Sequence, residues 1–318
     1  MRAAVVRGLG EAPQLGELPD AERGSGEALV EVRAAALNPI DIAIAAGRFH
    51  AGPPHVPYAP GREGVGLVRD SARVAAGTRV RFERDVGYGA NGSLAELIAV
   101  DDDALIPLPD GVADEVAAAL GIAGLAAWLA LEKAAIPPGG TVIVLGATGA
   151  VGQVAVQGAK LFGAQRVVAA GRDAQALGRA RALGADATVE LSGDIASSLL
   201  EAAGGEVDAV IDPLWGEPAV AALRTLRVGG RLVHLGTSAG LEAVVPSAAV
   251  RAKNVTIVGH SNLTTPHDKK RQAYGELLDH IVAGRLDVDF EVFPLDRIDA
   301  AWQAQASSPH RKLVVRVS

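Results

Sequence analysis

The sequence predicts an α/β fold: a six-stranded, doubly wound parallel sheet joined to an irregular β-rich domain. Two observations carry this. From residue 142 onward, short β-branched runs alternate with helix-length stretches, which demands crossover connections and a parallel sheet covered on both faces. Residues 1–117 instead hold short strands broken by Gly and Pro, the pattern of a small barrel or sandwich. At 318 residues the chain exceeds one ordinary domain, so two are expected.

In chain order, strands are predicted at ALVEVRAAAL, GVGLVRD, TRVRFE and SLAELIAV. PPHVPYAPG, with four prolines in nine residues, reads as a rigid loop. NPIDIAIAAG (38–47) reads as a short helix. Asn38 would be its N-cap, Pro39 its first residue, Asp41 a first-turn acid and Gly47 its stop. The longest apolar run, Val116 to Leu131, falls short of the roughly 20 residues that span a bilayer. Asp114-Glu115 and Glu132-Lys133 flank it as the ends of a buried helix.

The six strands of the parallel sheet are expected at VIVLG (142–146), RVVAAG (166–171), ATVEL (187–191), VDAVID (207–212), GRLVHLG (230–236) and VTIVG (255–259). Between them lie GQVAVQGAKLF, DAQALGRARALG, DIASSLLEAAG and GEPAVAALRTL, each long enough for a helix. The chain closes on a helix (KKRQAYGELLDHIVAG), a strand (FEVFPL), a helix (LDRIDAAWQAQAS) and a strand (KLVVRVS). These last elements are assigned to the first domain. The expected division is 1–117 with 261–318 against 118–260, with a cleft at the junction.

Composition narrows the chemistry. Hydrophobic residues make up 49% and the net charge is −7, which suits a large core and disfavours nucleic acid as a partner. The N-terminal MRAAVVRGLG meets Arg7 after a very short apolar run, so no signal peptide is expected. Neither a membrane anchor nor a secreted protein is predicted, and a cytoplasmic location is. The chain has no cysteine, which removes disulfides, thiolate nucleophiles and cysteine-ligated zinc together. His50 and His55 form no metal spacing, and H-E-x-x-H, G-x-S-x-G and P-loop patterns are all missing.

What remains is GATGAVG (146–152), between a predicted strand and a predicted helix. Close approach of a phosphate needs a bare backbone, free N–H groups and the positive end of a helix dipole. Gly146, Thr148, Gly149, Ala150, Val151 and Gly152 are therefore candidate pyrophosphate contacts, although Ala147 stands where the dinucleotide fingerprint has its first glycine. The second strand should carry the group that reads the adenosine ribose. It ends in Gly171-Arg172 rather than an acid. A small residue leaves room for a 2′-phosphate and a guanidinium pairs with it, which favours NADPH over NADH. The alternative gives the ribose to Asp173 and leaves Arg172 as a solvated charge. Gly236, Thr237 and Ser238 follow the fifth strand, at the carboxyl edge where ligands sit in such sheets.

The chain resembles the medium-chain dehydrogenase/reductase superfamily, in particular its zinc-free quinone oxidoreductase branch. The resemblance spans essentially the whole chain. It rests on NPIDIAIAAG, PYAPGREGVGLV (57–68), GIAGLAAWLAL (121–131), GATGAVG, HLGTSAG (234–240) and SSPHRKLVVRV. It implies a GroES-like domain beside a Rossmann domain, a homodimer, and Asn38 and Asp41 bordering the cleft near the nicotinamide. Zinc-using members place a cysteine at the position of Asn38 and a histidine at that of Arg62. Quinone reductases of this branch often carry a tyrosine and an arginine where this chain has Ala43 and Ala45. Tyr58, Tyr88 and Trp128 are the available aromatic replacements, and His260 a lone titratable group after the sixth strand. The resemblance thus implies NADPH-dependent, zinc-free hydride transfer to a small electrophilic acceptor. A quinone is favoured. An enone, alkenal or enoyl-thioester reductase, and an NADPH-binding protein with little turnover, are the alternatives.

Overall fold

The computed structural model describes residues 1–318. The chain forms two compact units: residues 1–122 with 288–318, and residues 123–287.

The first unit is built around the strand Glu27–Leu37. It pairs antiparallel with Glu63–Asp70, Leu97–Asp101 and Lys312–Arg316. Its outer half alternates buried and half-buried residues, and its last four residues are all buried, as a strand does on passing from the rim of a sheet into its core. Phe290–Pro294 joins Lys312–Arg316 in parallel. Val30, Val32, Leu37, Phe82, Ile98, Leu313 and Val315 fill the core. The helix Pro39–Ala45 leaves this sheet directly from Leu37.

In the second unit six strands run parallel: Thr141–Leu145, Arg166–Gly171, Ala187–Glu190, Val207–Asp212, Leu226–His234 and Thr256–Gly259. Numbered along the chain, their spatial order is 3-2-1-4-5-6. The order reverses between the first and fourth strands, the switch point at which such sheets take ligands. Ile143, Leu145, Val168, Val210 and Leu232 form one buried face with Leu199, Ala222 and Leu223 from two helices. Capping fixes the helix starts. Asp173 accepts from Ala176 N at 2.8 Å and Asp194 from Ser197 N at 3.2 Å, and Gly204 closes the second of these helices at φ 75°.

Two expectations are corrected here. The helix His267–Val282, assigned from sequence to the first domain, belongs to the second unit. Its Tyr274, Leu277 and Leu278 are buried, Glu276 accepts from Trp128 Nε1 at 2.9 Å, and Lys269 bonds Glu132 at 2.8 Å. An apolar helical stripe announces burial but not against what. The apolar run near residue 120 is also not one regular helix. Asp114–Ala134 breaks at Gly121 (φ −47°, ψ −109°). It is long and apolar enough to cross a membrane by composition, and 72% of its most apolar window is buried inside the fold.

Candidate functional site

In the second unit the strand Thr141–Leu145 turns through Gly146 (φ 58°) into the helix Ala150–Leu161. A Cβ on Gly152 would overlap the Gly146 carbonyl, so that glycine lets helix and strand close together. Gly149, the N-cap, is different. Its φ of −83° and ψ of 168° suit any residue, and a Cβ there would meet only the Gly146 oxygen, at 3.6 Å. Nothing inside the chain demands glycine at 149. A ligand closing on the helix N-terminus would.

Beyond the second strand, Arg172 is exposed and makes no ion pair or hydrogen bond within the chain. Asp173 uses one carboxylate oxygen, Oδ1, to cap the helix Ala174–Ala182. Gly171 has a packing reason of its own: a Cβ would sit 3.0 Å from the Thr148 methyl. Its small size therefore seats Thr148, itself buried, against the end of the second strand.

The loop after the fourth strand was missed by sequence reasoning. Pro213 and Leu214 lie over the glycine turn: a Cβ on Gly146 would meet Leu214 Cδ2 at 3.0 Å and Pro213 Cγ at 3.1 Å. On its other side the Pro213 carbonyl accepts from Ser238 Oγ at 3.1 Å, and a Cβ on Gly236 would meet that oxygen at 2.7 Å. Thr237 is exposed beside them. Asp212, fully buried, holds the loop by accepting from Leu214 N and Trp215 N, both at 2.9 Å. Its second oxygen faces His234 Nδ1 at 3.0 Å. Three loops thus pack together at the carboxyl edge of the sheet. After the sixth strand, His260 is buried, with Nε2 2.9 Å from Asn262 Oδ1 and Nδ1 without a partner. Burial, helped by the charge of Lys133, holds its pKa below the usual histidine value, so it is neutral at pH 7.

Asn38 and Asp41 lie in the first unit, inside a buried polar cluster. Asn38 stands at the N-cap position of Pro39–Ala45, yet its side-chain amide donates to Glu63 Oε1 at 2.8 Å and Ala36 O at 3.2 Å. Asp41 Oδ2 accepts from Asn38 N at 2.8 Å and Oδ1 from Arg62 N at 3.1 Å. Lys312 Nζ donates to Asn38 Oδ1 at 2.5 Å and Glu63 Oε1 at 3.1 Å. The other Glu63 oxygen accepts from Ile122 N, just past the helix break, and has Arg81 Nη2 at 3.5 Å. A Cβ on Gly121 would overlap that carboxylate, so the glycine and the broken helix admit Glu63. Trp128 is buried, the Tyr88 hydroxyl donates to Gly52 O at 2.9 Å, and the buried Tyr58 hydroxyl has no partner. Burial pushes the Tyr58 pKa up, with the Asp41 charge adding.

Burial pushes Asp41 up to about 6, partly offset by the Asn38 N–H and the Lys312 charge, with Glu63 pushing the same way as burial. The folded value lies above the unfolded one, so the folded chain holds the extra proton between about pH 4 and pH 6, and this contribution to stability is lost as pH rises through that window. Thermal melts of the wild type and Asp41→Asn at pH 4 to 7 check this. The wild type should gain on the variant as pH falls from 6 to 4, and a constant difference contradicts the assignment.

The first-unit cluster does not fit a zinc ion. Asn38 and Arg62 stand where the resemblance puts ligands, Arg62 pairs with Asp85, and an ammonium already lies between Asn38 and Glu63. Three His, Cys, Asp or Glu side chains never gather at metal-binding distance.

Residues 24–110 match the alcohol dehydrogenase GroES-like domain family, and residues 150–282 the zinc-binding dehydrogenase family. Among solved structures, the quinone oxidoreductase of Thermus thermophilus, described also in complex with NADPH, aligns at TM-score 0.84 and 33% identity over all of both chains. An NAD-dependent alcohol dehydrogenase aligns at TM-score 0.89 and 27% identity, again over all of both chains. A phenolphthiocerol/phthiocerol polyketide synthase polypeptide of Mycobacterium tuberculosis is 33% identical over 302 residues, 91% of this chain. This chain spans only 13% of that curated relative's length.

Proposed function

Because the chain belongs to the medium-chain dehydrogenase/reductase superfamily, we propose that it is an NADPH-dependent, zinc-independent reductase acting on an electron-poor small molecule, a quinone foremost. The observation that carries the cofactor half is Gly149, a glycine that neither its backbone angles nor its neighbours require. In this reading the backbone from Gly146 through Thr148, Gly149, Ala150 and Val151 to Gly152 holds the pyrophosphate. Gly171 seats Thr148, Arg172 pairs with the 2′-phosphate, and Gly236, Thr237 and Ser238 flank the nicotinamide half. Bound there, the cofactor supplies the hydride.

The chain's own contribution is binding, orientation and exclusion of water. Acceptors activated by conjugation need no Lewis acid, in keeping with a donor set that suits an ammonium better than zinc. Asn38 and Asp41 act as positioning residues. Their polar atoms are engaged with Glu63, Lys312 and backbone N–H groups, so they fix the start of Pro39–Ala45 rather than touch the acceptor, and water supplies the proton. A homodimer in the cytoplasm is proposed from the resemblance alone.

Arg172→Ala tests the phosphate assignment. It should weaken NADPH about 10–100-fold, the loss expected for a charge-assisted pair, and leave NADH within about twofold. Equal losses for both nucleotides contradict the role.

A second reading, reduction of an enone or enoyl thioester, is favoured by the polyketide synthase match and by Ala43, whose methyl replaces the ring of many quinone reductases. Steady-state NADPH oxidation with a panel of quinones, enones and enoyl thioesters separates the two by kcat/KM. No turnover with any of them, in a chain that binds NADPH, points to a nucleotide-binding protein without catalysis.

A further inference from the structure

The Asp212–His234–Trp215 cluster has no place in the pyrophosphate or 2′-phosphate assignments. Asp212 closes the fourth strand and His234 the fifth, side by side in register. The Asp212 carboxylate is fully buried and bonded to two backbone N–H groups and to His234 Nδ1. A carboxylate oxygen without a proton accepts, so the tautomer that suits this contact carries its hydrogen on Nδ1, toward Asp212, and leaves Nε2 as the ring's acceptor. Nε2 has no partner in the chain and is not among the buried unpartnered atoms. The His234 side chain retains 25% of its exposure. The ring lies against Trp215, centroids 4.3 Å apart and planes tilted by 42°. Trp215 is itself held at φ 58° and ψ −166°. A bulky residue rarely adopts such a backbone, and strain of this kind gathers where ligands bind.

The position of the cluster selects the part of the ligand. Arg172 marks the adenosine side, over the second strand. The sheet order 3-2-1-4-5-6 then leaves the fourth, fifth and sixth strands to the other mononucleotide. We propose that His234, tethered through Nδ1 to Asp212 and stacked on Trp215, accepts a hydrogen bond through Nε2 from the nicotinamide-riboside half of NADPH, from a ribose hydroxyl or the carboxamide N–H. This rests on the reading of the second unit as an NADPH site.

Calorimetric titration with NADPH and with 2′,5′-ADP, which lacks the nicotinamide riboside, tests it. His234→Asn keeps an amide for Asp212 and removes the Nε2 atom. This variant should bind NADPH about 5–30-fold more weakly, the loss of one hydrogen bond with its buried partner left unmet, while 2′,5′-ADP stays within about twofold of the wild type. Unchanged NADPH affinity, or equal losses for both ligands, overturns the proposal. The second of these would mark a purely structural role. Should the asparagine variant melt early, His234→Phe retains a ring against Trp215, lacks both nitrogens, and repeats the comparison with the same expected split. If the wild type binds neither ligand, the NADPH reading itself falls along with the role given to His234.

Discussion

Gly149→Val is expected to remove measurable NADPH binding and to leave the chain folded. The two halves of that result come from separate observations. Folding survives because the backbone at 149 lies in the extended region a β-branched residue favours, and an added Cβ meets only one atom of the chain, at 3.6 Å. Valine is a poor N-cap, so stability falls by about 1 kcal/mol and no more. Binding fails because the two γ-methyls project from the helix N-terminus into the space assigned to the pyrophosphate, and the amides there lose their anion. An affinity loss of at least about 100-fold is expected, equivalent to roughly 3 kcal/mol. Gly152→Val is the contrasting case: its Cβ has no room inside the chain, so that variant should unfold. A Gly149→Val protein that melts normally and binds NADPH normally contradicts the site.

The second large effect belongs to Lys312. It is 2% exposed, and Glu63, which it neutralises, is 1% exposed. Arg81, the other cation near Glu63, stands at 3.5 Å and also serves Glu83 at 2.6 Å. Lys312→Met therefore takes from a buried carboxylate its nearest cation and removes a donor from Asn38. Breaking a buried pair by deleting one partner costs about 3–5 kcal/mol, and chemical denaturation should show a loss of that size. Glu63→Gln in the same chain should restore a large part of it. The uncharged amide oxygen can still accept from Ile122 N, and no unpaired charge is left. A Lys312→Met protein as stable as the wild type, or a double variant no better than the single, contradicts the account of the cluster. In this network one buried ammonium bridges Asn38 and Glu63.

How much of this was legible in the sequence depends on the range of each interaction. The six parallel strands could be read because their signals are local. Runs of Val and Ile alternate with helix-length stretches, and Asp173 and Asp194 announce helix starts by bonding to an N–H three residues on. The strand-to-helix turn at 146–150 is likewise local. Lys312 and Asn38 meet across 274 residues and Lys312 and Glu63 across 249, and no periodicity encodes such a meeting. Asn38 illustrates the limit: its place before Pro39 reveals a cap position but not that its amide turns to Glu63. Asp212 and His234 are equally silent, each looking like the polar end of a buried strand until register sets them side by side. Trp215 gives no warning either, since a positive φ is not a preference of tryptophan. The helix His267–Val282 shows in the pattern but its domain does not, because the pattern names no partner.

The most direct measurement is a calorimetric titration of the intact wild-type chain with NADPH and, separately, NADH. The account predicts one site per chain and an affinity for NADPH at least about tenfold above that for NADH, the size of one guanidinium–phosphate pair. Heat from neither nucleotide, or tighter binding of NADH, would contradict it.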